Sequence, residues 1–318
     1  MWIAFILIVG VLLVLDLGYF HKDNHEIGFK ESLRMSLFYI LIALAFGLCI
    51  WYVKGLESFA EYLTGFLIEK LLALENIFLI SLIFSNLSIP AKYQHRVLFW
   101  GILGVIVLRA IMIGLGAQVI SRFEWVLYLF ALFMIFTGIK MFFISHKPVN
   151  ISNNLLLKWL RKHLNITEHL HDQHFYVYQQ DPKTKIVKLF VTPLFIALIM
   201  IEFTDLIFAI DSIPAIFAIT QDIFIVYTSN IFAILGLRAL YFALESIINR
   251  FYYLKYSLAI VLIFIGCKIF AADAFGIAKI PPVLSLTVTI FILGCGILYS
   301  YLRKDNNPGA GKDLEHPL

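Results

Sequence analysis

A chain of 318 residues with 61% hydrophobic and only 14% charged side chains cannot clothe a water-facing surface, because a soluble domain carries about 25% charge. The net charge of +4 is small, and no nucleic-acid partner is expected. Cys49, Cys267 and Cys295 all lie in apolar segments without CxxC spacing. Neither a disulfide framework nor a thiolate metal centre is suggested, and they read as small apolar core residues.

Apolar runs recur along the chain at about 17–22 residues, the length a helix needs to cross a bilayer. The predicted fold is all-α and polytopic, with about nine transmembrane helices near 2–20, 35–53, 63–87, 97–117, 125–144, 189–210, 224–246, 257–273 and 282–302. The first run lacks a basic n-region and a cleavage site, so it reads as a retained helix rather than a signal peptide. Asp16, toward its inner end, is a candidate pathway residue or an interfacial one. A polar loop spans about 145–188, and a charged tail occupies 303–318. The bundle proper is then 1–302.

Lys and Arg orient the spans. With the N-terminus outside, seventeen of them fall in inside segments and three, Lys54, Arg122 and Lys279, outside. The loop and the C-terminal tail are therefore expected in the cytoplasm. His169, His171 and His174 in the loop are candidate regulatory residues, since histidine titrates near neutrality. Trp51, Tyr52, Trp100 and Trp125 read as interfacial anchors.

EKLLALEN (69–76) and DLIFAIDS (205–212) share one pattern: acid, three residues, Ala, aliphatic, acid, small polar. Leu-Arg-Ala recurs at 108–110 and 237–239, and Gly-x-Lys at 138–140 and 266–268. Spans 3–5 (about 63–144) therefore resemble spans 6–8 (about 189–273). Consecutive units of three spans must insert in opposite directions, so an inverted repeat is expected, an architecture common among secondary transporters.

The repeat places Glu69, Glu75, Glu202, Asp205 and Asp211 in apolar surroundings. A charge at the bilayer centre costs roughly 2.5–3.5 kcal/mol on insertion scales. Three arrangements would offset it. Arg109, Arg238 and Lys70 could balance the acids as ion pairs; the acids could relay protons; or they could bind a divalent cation. With Asn76 they form an oxygen-rich ligand set suited to Mg²⁺, Ca²⁺ or Mn²⁺. Glu69 and Asn76 share a helical face, as do Glu202 and Asp205. Asp211 converges with the latter pair only if its helix breaks, and Pro214 offers a cause.

These stretches resemble the TerC/Alx family of integral membrane proteins, with EKLLALEN, the run from Glu202 to Thr220 and SNIFAILGLRALYF (229–242) all family-like. The resemblance extends over about 1–302. It implies a bacterial inner-membrane protein that exports Mn²⁺, with Glu69, Glu202, Asp205 and Asp211 as functional acids. Glu75 stands where the family carries Asp. The expected function is secondary transport of manganese coupled to protons. No tightly bound cofactor is expected, Mn²⁺ is the transported ion, and the bilayer and protons are the other partners. The alternative is a membrane metal or pH sensor, or a scaffold, acting through the His-bearing loop. No Walker motif or nucleophile elbow appears, so an enzyme is not expected.

Overall fold

The computed structural model describes residues 1–18, 29–123, 125–143, 155–167, 170–180, 185–244, 254–274 and 281–302. Long helices dominate: α1 (Trp2–Gly18), α2 (Phe29–Lys54), α3 (Leu56–Asn86), α4 (Ala91–Arg122) and α5 (Val126–Phe143) in the first half. The second half holds α6 (Leu155–His163), β1 (Tyr176–Gln180), β2 (Val187–Val191), α7 (Pro193–Phe217), α8 (Ile223–Leu235), α9 (Leu237–Leu244), α10 (Leu254–Ala274) and α11 (Pro282–Leu302).

The protein is an all-α polytopic membrane protein. Among the described residues, five helices, α2, α4, α5, α7 and α11, are long and apolar enough to cross a bilayer. Shorter apolar helices lie in α1, α8 and α10. α3 is long but carries Glu57, Glu61, Glu69, Lys70 and Glu75. The usual inside–outside pattern is reversed. Phe136, Phe143, Val107 and Phe291 face outward, while Glu69, Arg109, Asp205 and Asn230 are buried. Lipid accepts the first set and not the second.

Four expectations change. The helix carrying the acids does not break at Pro214, because α7 runs through it to Phe217. The proline falls in the last turn, where one missing donor removes a single helical bond. The break occurs instead in the expected span 224–246, at Gly236, which separates α8 from α9. The 145–188 loop is not simply polar chain. It contains α6 and an antiparallel hairpin pairing Tyr176 with Val191 and Gln180 with Val187. The hairpin runs past residue 189, and α7 starts only at Pro193, after extended Thr192, because proline is pre-set for the first helical turn. Finally, the three cysteines are free thiols on the outer surface of the bundle rather than in its core. The charged tail lies outside the described residues.

α5 and α10 cross face to face through two glycines. A Cβ on Gly138 would lie 2.7 Å from the Ala259 carbonyl oxygen and 2.7 Å from Ile263 Cγ1. A Cβ on Gly266 would lie 2.6 Å from the Ala131 carbonyl oxygen and 2.7 Å from Ile135 Cγ1. Each alanine precedes its own glycine by seven residues, and each isoleucine by three. The contact is therefore reciprocal, as in a two-fold interface. α3 packs on α8 and α7 packs on α4 in the same reciprocal sense.

A methyl group at either glycine meets backbone. Gly138→Ala and Gly266→Ala should each cost about 1–3 kcal/mol, read as a lower midpoint in thermal unfolding of the purified protein. Gly10→Ala and Gly294→Ala, where a Cβ meets nothing within 4 Å, should leave the midpoint in place.

Candidate cation site

Seven-residue spacing brings two pairs of polar side chains onto single helical faces: Glu69 with Asn76 on α3, and Asp205 with Ser212 on α7. α4 supplies Arg109 between them, and α8 supplies Asn230. Arg109 is 1% exposed and Glu69 1%. The guanidinium grips Asp205 with both sides of its fork, Nε donating to Oδ2 at 3.1 Å and Nη2 to Oδ1 at 2.9 Å. Nη1 pairs with Glu69 Oε1 and also donates to Asn230 Oδ1 at 3.1 Å and Ser212 Oγ at 3.2 Å. Asn230 Nδ2 donates to Glu69 Oε2 at 3.2 Å, and Asn76 Nδ2 to Asp205 Oδ1 at 3.3 Å.

Two carboxylates thus share one guanidinium. With both ionised, the cluster is one positive charge short. Arginine suits the place because its rigid fork meets carboxylate geometry and it stays charged.

Glu202 lies three residues before Asp205 but outside this network. Among the described residues, both its carboxyl oxygens are buried without a hydrogen-bond partner, and so is Asn76 Oδ1. A cavity of about 20 Å³, room for roughly one water, opens beside Asn76, lined also by Thr204, Asp205 and Gly101 among apolar neighbours.

Not every sequence candidate joins the cluster. Lys70 donates to the Ala233 carbonyl at 2.9 Å rather than to a carboxylate. Its ammonium sits at the C-terminal end of α8, where the Gly236 break leaves carbonyls without helical partners. Glu75, Asp211, Arg238 and Asp16 lie on α3, α7, α9 and α1, and their side chains fall outside the described residues. His169 does too. His171 and His174 are exposed on one turn, far in sequence from the cluster, with His174 N–H bonded to the His171 carbonyl at 3.0 Å. Among the described residues, no group of three or more His, Cys, Asp or Glu is close enough to hold a metal ion. Sequence reasoning missed Ser212 and Asn230. Ser212 could have been found from the repeat, since it stands where Asn76 stands in the first unit. Asn230 is a lone amide in an apolar span, a signal in itself.

Residues 54–307 match the model of the integral membrane protein TerC family. The chain belongs to the TerC family. An uncharacterised membrane protein of Rickettsia bellii (strain RML369-C) is 55% identical over 304 residues, covering 96% of this chain and 98% of that one. One from Myxococcus xanthus is 44% identical over 313 residues, covering 98% and 95%. Alx of Escherichia coli (strain K12) is 41% identical over 324 residues, covering 98% of both chains. Its name proposes a membrane-bound redox modulator. No solved structure matches.

Removing the guanidinium would strand two buried acids. Arg109→Ala should destabilise the protein by about 3–5 kcal/mol, measured as thermal unfolding in detergent. Arg109→Ala with Asp205→Asn should lose less, because one fewer charge is left alone.

Proposed function

We propose that this TerC-family chain is a secondary transporter whose cargo is a divalent cation, Mn²⁺, moved out of the cytoplasm in exchange for protons. The observation that carries the reading is the charge deficit at Arg109: two buried carboxylates share one guanidinium, with unengaged oxygens of Glu202 and Asn76 beside them. Glu69, Asn76, Glu202 and Asp205 would hold the cation, with Glu75 and Asp211 as further ligands. Hard oxygen donors suit Mn²⁺. Arg109 would serve as the internal counter-ion whenever the cargo is absent, and Arg238 as its counterpart in the second repeat. Asp16 would line the route.

The inverted repeat is part of the same proposal. The reciprocal α5–α10 crossing supports it, as does the meeting of Glu69 and Asp205, the matched acids of the two units, on one arginine. Binding where repeats meet is the usual plan in such transporters. The bacterial relatives and the Lys/Arg distribution support an inner-membrane location with the N-terminus outside and the C-terminus in the cytoplasm.

Flux of Mn²⁺ into proteoliposomes tests the reading. The wild type should respond to a pH gradient, and Asp205→Asn should abolish flux while remaining inserted. Unaltered flux in that variant, or none for any divalent ion in the wild type, would remove the proposal.

One observation favours a second reading, a sensor. Leu157 and Leu160 of α6 are buried in the same core as Phe84 and Tyr241. Arg96 of α4 donates to Gln173 at 3.0 Å, so the His-bearing segment touches the helix that carries Arg109. Replacing His171 and His174 by Ala should leave Mn²⁺ flux within error for a transporter. A sensor would lose its downstream response in that variant.

A further inference from the structure

The α4 face opposite Glu202 carries no side chain where the carboxyl group lies. A Cβ built on Gly104 would collide with Oε1, lie 2.5 Å from Cδ and 2.7 Å from Oε2. One built on Gly101, a turn earlier, would lie 3.9 Å from Oε1. The whole carboxyl group therefore rests on the bare backbone of α4. It does so without a hydrogen bond among the described residues: neither oxygen has a partner there, although both are buried. A buried polar group left unpaired is costly, and the seat is too close-fitting for a side chain at position 104. Asn76 is 5% exposed, and its Oδ1 is likewise unpaired. The adjoining cavity is lined by Asn76, Asp205 and Gly101.

The site therefore has two halves. In one, Arg109 occupies the oxygens of Glu69 and Asp205. In the other, the oxygens of Glu202 and Asn76 Oδ1 are buried and unpaired among the described residues. We propose that Gly104 is a positioning residue: its missing side chain holds the Glu202 carboxyl group in the wall of the cation path, presented to a divalent cation that lands before Arg109 lets go. This rests on the cation-transport reading and adds to it the order of engagement and the residue that sets it.

The collision at position 104 is with the far end of a flexible side chain, not with backbone. Gly104→Ala should therefore fold while displacing Glu202. Mn²⁺ alone is the probe, titrated into purified full-length protein and followed by calorimetry. Gly104→Ala should weaken binding roughly 10- to 100-fold, the usual effect of disturbing a residue that orients a ligand. Gly104→Ala combined with Glu202→Asp should regain most of that loss, since the shorter acid makes room for the methyl group. Gly114→Ala on the same helix, where a Cβ meets nothing within 4 Å, should bind like wild type. Thermal unfolding of wild type, Gly104→Ala, Glu202→Asp and the double variant reads the steric coupling of 104 and 202 without any cation.

Wild-type affinity in Gly104→Ala, or no recovery in the double variant, would overturn the positioning role. Coupling in unfolding with no Mn²⁺ binding by the wild type would overturn the cation reading, leaving a packing contact. Mn²⁺ binding without coupling would leave the cation reading standing and overturn the seat.

Discussion

A buried guanidinium between two buried carboxylates holds the middle of this protein together. Arg109 takes Asp205 from one side and Glu69 from the other, and Ser212 and Asn230 complete its shell. Four helices are tied at one point. In lipid there is no hydrophobic drive between helices, so polar contacts and close packing carry association.

The packing around this point is organised in pairs. α5 and α10 press glycine to backbone in both directions, leaving little freedom to slide along each other. The two Leu-Arg-Ala segments differ at Gly236, where α8 ends and α9 begins, while α4 runs on through the corresponding sequence position. Lys70 occupies the carbonyl end that the break exposes. Similar sequences thus give one continuous helix and one interrupted helix, and the interruption is stabilised from a neighbouring helix.

The polar segment between α5 and α7 is part of the bundle rather than an appendage. α6 buries Leu157 and Leu160 among residues of α3, α7 and α9. Thr192 closes the start of α7, with its N–H on the Phe175 carbonyl at 2.9 Å and its hydroxyl on the His174 carbonyl at 2.7 Å. At the opposite end, Lys54 pairs with Asp222, which caps α8 through the Phe224 N–H.

By itself, the sequence determined the class, the apolar runs and the face-sharing of the acids. Those follow from local rules: the length of an apolar run, the cost of charge in lipid and the 3.6-residue turn. Glu69 with Asn76, and Glu202 with Asp205, were legible for that reason. The tertiary structure alone decided which acids meet Arg109, that Lys70 serves a helix end, and that Glu202 rests on Gly104 apart from the cluster. Each depends on how helices far apart in sequence lie against one another. The same holds for Pro214, whose effect on α7 depends on its distance from the helix end, and for Gly236, where the break is held by a lysine 166 residues earlier. Spacing sets which side chains share a face, and packing sets what that face meets.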